Sequence, residues 1–327
     1  TQPLNRLSFY QHKSGAWQNV ERTKKPMDAN SNHSNIFSLL TLNVWFSSFF
    51  AEERAQGTID EIAFHNPTIV CLQEVKPSFI NFLKENTFIQ KNYLISDISG
   101  KTVIPYGVAI LARIDANIHQ TYALAEYELT TRMSRKVLLL DFQWPYSKHM
   151  ISVATVHLES LNNAPTRQKQ LREIYKLISP KATSIPVDGA IVCGDFNFDA
   201  TRNYIKDSGQ PLENDLLSKE LLPDYMDVYA ALHKNEPIKD TWTFDTTTNP
   251  NLFGHREETM RYDRIMLSPT KTVQPKMVAI CANNPIKDEK GKEIQTKRDV
   301  RAVFPSDHYG LIAEFELAEK SVEQDDK

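Results

Sequence analysis

The 327 residues carry 38 Lys and Arg against 41 Asp and Glu, a formal net charge of −3 with a pI near 6.3. That balance excludes a global basic field, so contact with nucleic acid would have to come from local patches. A hydrophobic content of 41% and a charged content of 24% fit a globular fold, and no apolar run reaches the roughly 18 residues of a membrane span. Residues 1–35 are polar, interrupted by Phe9, Tyr10 and Trp17, and read as an N-terminal arm laid against the domain. The apolar pattern starts at Ile36, with a strand over Phe37–Asn43. Ala51–His65 has the apolar spacing of a helix face, and Pro67 stops it. A buried strand follows over Thr68–Leu72, then a short helix over Ser78–Glu85.

Tyr93 to Leu158 reads as all-β, with strands over Tyr93–Ile98, Gly107–Ala112, Ile118–Leu124, Lys136–Phe142 and Met150–Val156. Thr166–Ile178 is an amphipathic helix, with Leu171, Ile174, Tyr175 and Ile178 inward. Arg167, Lys169, Arg172 and Lys176 then face outward, as a solvated face or a nucleic-acid patch. Ala190–Cys193 is a strand buried on both faces, ending in Gly194-Asp195-Phe196-Asn197. Residues 199–240 are irregular, with helical pieces near Leu212–Leu217 and Asp227–His233. Strands over Asp263–Leu267, Val273–Ala279 and Gly310–Leu317 follow, with a charged loop at 283–302 and an acidic tail at 319–327. Strands outnumber helices, and the helices come singly between them. This predicts an α/β fold of two packed mixed sheets with helices on the outer faces.

Cys71, Cys193 and Cys281 are odd in number, and two sit in apolar strands, which predicts reduced, buried thiols in an intracellular compartment. There is no CxxC or His/Cys spacing of a structural zinc site, no signal-peptide pattern at the N-terminus and no glycine-rich phosphate loop. What recurs is polar residues at strand ends: Asn43, Glu74, His157, Asp195 with Asn197, and Asp307 with His308, while Asp263 starts a strand. Singly, each also fits a turn, an exposed strand end or a satisfied core histidine. Together, acids, amides and imidazoles without a reactive Cys or a serine elbow suit metal-assisted attack by water. Hard oxygen ligands favour Mg²⁺ or Mn²⁺ over zinc.

Thr41-Leu42-Asn43, Leu72-Gln73-Glu74, His157-Leu158-Glu159-Ser160, Gly194-Asp195-Phe196-Asn197 and Ser306-Asp307-His308 occur in that order over about residues 36–317. The series resembles the endonuclease/exonuclease/phosphatase superfamily, which implies a DNase I-like four-layer sandwich over 36–318. Glu53–Gly57, Leu222-Pro223-Asp224 through Val228, Arg261–Ile265 and Phe304–Leu311 are similar to the 5′-tyrosyl-DNA phosphodiesterases. The resemblance implies Glu74 as main Mg²⁺ ligand (Mn²⁺ as substitute), with Asn43 beside it and Asp307 near the metal. It implies Asp195 as the group that orients or deprotonates water, with Asn197 holding the water or a phosphate oxygen. His157 and His308 would donate to the phosphate, and Asp263 would fix His308.

Three departures bear on substrate. Leu42 stands where most relatives have Trp, Phe198-Asp199 stands where the tyrosyl-DNA enzymes carry a phosphate-holding Arg, and Phe244 or Trp242 would supply the base-stacking aromatic. Arg202 or Arg264 would then replace the missing Arg. Lys287–Arg301, Arg132, Arg135 and Lys136 would grip the strand. The expectation is a Mg²⁺-dependent phosphodiesterase, monomeric, in the nucleus or cytoplasm. Its substrate would be a 5′-phosphotyrosyl linkage to DNA, with RNA as a close variant. The alternatives are another superfamily hydrolase (a DNA or RNA nuclease, a phosphoinositide phosphatase or a sphingomyelinase) and a non-catalytic binding domain on the same fold.

Overall fold

The computed structural model describes residues 2–20, 35–145, 147, 149–179, 187–202, 213–235, 237, 241–297 and 300–318. Most of the polar run before Asn35, the beginning of the piece expected near Leu212, Arg298 and the acidic tail at 319–327 lie outside these residues. Two sheets pack face to face. The first runs β1-β8-β9-β10-β11-β15-β12, from β1 (Asn5–Leu7), β8 (Tyr122–Glu128), β9 (Lys136–Gln143), β10 (Met150–His157), β11 (Gly189–Asp195), β15 (Asp263–Leu267) and β12 (Met226–Asp227). The second runs β16-β17-β4-β5-β7-β6-β2-β3. Its strands are β16 (Val273–Cys281), β17 (Gly310–Leu317), β4 (Ile36–Asn43), β5 (Ile69–Val75), β7 (Gly107–Arg113), β6 (Tyr93–Ile95), β2 (Tyr10–Lys13) and β3 (Ala16–Asn19). A ribbon of β13 (Phe244–Asp245) and β14 (Thr259–Met260) stands apart.

The four layers follow from the period-2 alternation of the strands. Phe37 and Leu39 of β4, Ile151 and Val153 of β10, and Ile191 and Cys193 of β11 meet between the sheets. Their neighbours Leu40 and Leu42 face α1 (Ala51–His65), α2 (Pro77–Glu85) and α3 (Thr87–Asn92), through Ile59, Ile62, Ile80, Leu83 and Ile89. Ala154, Val156, Ala190 and Val192 face α4 (Ala164–Ile178) through Leu171, Ile174 and Ile178. Burying each such large side chain contributes about 1.5–3 kcal/mol. Short helices α5 (Glu213–Leu216) and α6 (Val228–Leu232) complete the set, α6 against β15 and β16. Each sheet holds one parallel pair, β4–β5 and β10–β11. Both pairs end where the polar strand-end residues cluster. Among the described residues no helix is long and apolar enough to cross a membrane.

Several local expectations change. The residues read as an arm form strands β1–β3, which pair into both sheets. The strand expected over Ile118–Leu124 is a tight turn at Ile118–Gln120 followed by β8, because Asn117 takes a left-handed φ of 56° and breaks the extended run. Arg167 turns inward, donating to Leu161 and Glu159 carbonyls at 2.7 and 2.8 Å and pairing with Glu213 at 2.7 Å. Its charge therefore organises a loop where solvent contact was expected.

Candidate active site

Gly194 sets up the central acid. Its φ is +130°, and a Cβ there would lie 2.0 Å from the Val156 carbonyl oxygen, so a glycine is required where β10 and β11 converge. The next residue, Asp195, is buried, and its Oδ2 is where the site converges. Asn43 Nδ2 donates to it at 3.0 Å, His157 Nε2 lies 3.5 Å away and His308 Nε2 3.9 Å away. Oδ1 accepts from the Asn197 backbone at 2.8 Å, and the Asn197 amide donates to the Leu158 carbonyl at 2.9 Å. Asn43 belongs to the second sheet and Asp195 to the first, so the site spans the seam between them.

Glu74 is aimed by a bulge. The β5–β7 register shifts between Leu72 and Val75, and Glu74 sits at φ 59°, a left-handed conformation rare outside glycine. Its Oε2 accepts from the Phe46 backbone at 2.8 Å, and its Oε1 lies 3.7 Å from His157 Nε2. Phe46 is itself held by a loop that Arg54 organises. The buried Arg54 guanidinium donates to the carbonyls of Val44, Trp45, Ser47 and Phe49 at 2.7–3.1 Å and lies 4.6 Å from the Trp45 ring centre. Burial pulls Arg54 down to about 10.

His308 is fixed by Asp263, whose Oδ2 lies 2.8 Å from Nδ1. Burial opposes the charged ring, yet Asp263 and then Asp195 and Asp307 outweigh it and hold His308 well above its ordinary value. The imidazolium therefore offers Nε2–H toward Asp195. His157 is the opposite case. Burial and the facing Arg135 push it down to about 3, so it stays neutral. Across the seam, Gln73 Nε2 donates to Thr155 Oγ1 at 3.0 Å and lies 3.1 Å from Thr41 Oγ1.

The oxygen donors fit a hard cation. Burial, then Asp307, pushes Glu74 up to about 7, and burial raises Asp307 against the pull of His308. Ser306, whose hydroxyl donates to the Asn43 carbonyl at 2.5 Å, also lies 3.2 Å from Asp307 Oδ1. Two mutually repelling, half-buried carboxylates beside an Asn carboxamide are the donor chemistry of Mg²⁺ or Mn²⁺.

The structure thus brings Asn43, Glu74, His157, Asp195, Asn197, Asp263, Asp307 and His308 into one site. Phe244 joins its rim, with its ring 5.1 Å from that of His308. Trp242 lies beside Arg202, whose guanidinium carbon is 5.9 Å from the indole centre. The two candidate phosphate arginines are otherwise engaged. Arg264 is buried, donating to Asn214 at 2.7 Å and lying 4.4 Å from the Phe198 ring centre, and burial pulls it down to about 10. Arg202 donates to Asp199 at 2.7 Å and to the Thr259 carbonyl, so the acid standing in the place of the relatives' Arg is neutralised within the chain. Lys136 is held by Glu126 at 3.0 Å, inside the first sheet's edge. Lys287 faces Glu293 and Gln295 faces Ala302 in isolated antiparallel bridges, so the described part of the 283–302 loop folds back on itself.

Arg135, expected to grip a nucleic-acid strand, is instead buried against His157. The strand ends give no sign of Asn249 and Asn251, whose amides both donate to the Ser306 carbonyl at 2.9 Å and so pin the Ser306-Asp307-His308 turn. The Asn249-Pro250-Asn251 run carries a turn signature, which was the available clue.

The sequence profile of the Endonuclease/Exonuclease/phosphatase family matches residues 40–308. The chain is 26% identical over 299 residues to tyrosyl-DNA phosphodiesterase 2 of Homo sapiens, covering 89% of this chain and 71% of that protein. It is 29% identical over 248 residues to tyrosyl-DNA phosphodiesterase 2 of Danio rerio, covering 74% of this chain and 57% of that protein. The crystal structure of D. rerio TDP2 complexed with single strand DNA product superposes with a TM-score of 0.63 at 24% identity, covering 86% of this chain and 98% of that one. At that identity the superposition speaks for the fold, a DNase I-like sandwich. The family profile spans the bulged Glu74, the Asp195 centre and the His308 turn, and the chain belongs to the endonuclease/exonuclease/phosphatase family.

Proposed function

We propose that the chain is a Mg²⁺-dependent phosphodiesterase that hydrolyses the 5′-phosphotyrosyl bond between a protein and DNA, or RNA linked in the same way, leaving a 5′-phosphate. The observation that carries the reading is the convergence of Asn43, His157 and His308 on one buried carboxylate oxygen of Asp195. The substrate class is taken from the relatives, whose name is tyrosyl-DNA phosphodiesterase 2.

The residues divide the work by their surroundings. Asp195 orients a water and takes its proton, and Asn197 holds that water or a phosphate oxygen beside it. His308, charged by its pairing with Asp263, donates Nε2–H to an equatorial phosphate oxygen where negative charge grows. His157, neutral, donates its own Nε2–H from the other side. Glu74, Asn43 and Asp307 would hold Mg²⁺, which when bound polarises a phosphoryl oxygen and offsets charge on the leaving group. Phe244 offers a ring at the rim for a base to stack on.

The test is a substrate panel: a 5′-tyrosyl oligonucleotide, a 3′-tyrosyl one, an abasic duplex, poly(A) RNA, a phosphoinositide and sphingomyelin. Fastest turnover of the 5′ adduct, releasing tyrosine, is expected. Faster turnover of the abasic duplex, the RNA or a lipid would overturn the substrate assignment.

A further inference from the structure

Outside the site just described, Glu61, His65 and Cys281 bring one ligand atom each within 4.8 Å of one another, a group found among the described residues. Glu61 and His65 are one helical turn apart on α1 and share a face, with His65 Nε2 3.4 Å from Glu61 Oε2. Cys281 ends β16 and is buried. Its register partner is Gly310, where a Cβ would lie 2.9 Å from the sulfur, so a glycine leaves the thiol its room. The Ala282 backbone N–H donates to Glu61 Oε2 at 3.1 Å, which holds the carboxylate over the cysteine.

We propose that Glu61, His65 and Cys281 form a binding site for a thiophilic divalent cation of the zinc class, separate from the Mg²⁺ site. One sulfur, one imidazole nitrogen and one carboxylate oxygen are a borderline-soft donor set, matched to zinc and mismatched to Mg²⁺. Three protein ligands leave a fourth tetrahedral position, which water fills. The side chains of His65 and Glu61 are 22% and 20% exposed, so a cation reaches the site from solvent while the buried sulfur closes its back. On binding, the thiol gives its proton to solvent. The Ala282 N–H is the kind of outer partner that orients a ligating carboxylate. Such a cation joins the end of α1 to the end of β16, and so ties a covering helix to the edge strand of the second sheet. Glu61 and His65 precede Cys281 by 220 and 216 positions, a pairing that no short spacing in the sequence reveals.

The experiment uses the full chain freed of metal and titrated with Co²⁺, followed by its thiolate-to-cobalt absorption, with Zn²⁺ as competitor. One equivalent of Co²⁺ with a thiolate band, displaced by Zn²⁺ and raising the unfolding temperature, is expected. Cys281→Ser should abolish the band, and the partly exposed His65→Gln should weaken affinity by more than the roughly 10–100-fold that loss of an outer partner costs. A band that persists in folded Cys281→Ser, or Co²⁺ affinity unchanged in His65→Gln, overturns the proposal, as does binding without a thiolate band.

Discussion

Arg135 Nη1 lies 3.1 Å from His157 Nδ1, and a guanidinium can only donate, so the contact assigns the ring proton of His157 to Nε2. That nitrogen is the one facing Asp195 and Glu74. A base thus sets the tautomer of one histidine, while an acid, Asp263, charges the other.

His157 should therefore show a neutral Nε2–H ring by ¹⁵N NMR throughout the range from pH 5 to 8, about the span over which histidine ordinarily titrates. Its depressed value, about 3 against an ordinary 6.5, adds stability that is complete above the ordinary value and is lost as pH falls toward about 3. Arg135→Gln should flatten that acid limb and lower kcat. An imidazolium signal for His157 at neutral pH would contradict the assignment.

Catalysis should require Mg²⁺ or Mn²⁺, since the acids around Glu74 are hard donors. Activity should vanish in EDTA, return with added Mg²⁺, and be lost in Glu74→Gln at every Mg²⁺ concentration tried. Full turnover in EDTA would refute the metal's role.

Asp195→Asn should keep the fold and lose at least about 10²–10⁴-fold in kcat, the range general-base work supplies. Asp263→Asn should cost less, and should shift the pH profile toward acid because His308 loses the partner that holds its charge. Circular dichroism separates these effects from misfolding. An Asp195→Asn enzyme within about threefold of the parent would move the centre elsewhere.

Arg54→Lys should impair turnover from outside the site. One ammonium cannot replace a fork donating to four carbonyls, so the loop bearing Phe46 loosens and Glu74 loses its backbone donor. The expected signature is a higher Mg²⁺ requirement together with lower kcat. An unchanged Mg²⁺ dependence would show that the loop holds without the arginine.

Phe244→Ala should weaken oligonucleotide binding by about 1–3 kcal/mol if a base stacks there, and leave a small chromogenic phosphodiester nearly untouched. Fluorescence anisotropy on a short 5′-tyrosyl strand measures it, and equal losses on both substrates would assign the ring to packing against His308 instead.

Elements that announce themselves locally came out at their expected bounds. Ala51–His65, Asp263–Leu267 and Gly310–Leu317 are examples, the first ended by Asn66-Pro67. The catalytic strand ends were legible for the same reason, because a buried run followed by an acid or amide is a local signal. Buried bases were not. Arg54, Arg135, Arg167 and Arg264 look like any surface arginine until distant carbonyls, rings and acids close around them. The six-residue α3 was also missed, although Asn86 caps it through the Phe88 and Ile89 amides, because so few residues show no periodicity. The bulge at Glu74 depends on the β5–β7 pairing, which no window within β5 contains.

The parallel pairs β4–β5 and β10–β11 belong to different sheets, yet their ends supply one centre, joined by Asn43 to Asp195 and by Gln73 to Thr155. The centre therefore works as a vernier between two plates. Sliding one plate over the other by a fraction of an ångström would leave every strand paired and every core residue covered, while the marks would no longer coincide. Side chains such as Phe37 of the second sheet and Phe142 of the first, their ring centres 6.2 Å apart deep in the interleaf, then carry a duty beyond cohesion, for they set the zero of that scale.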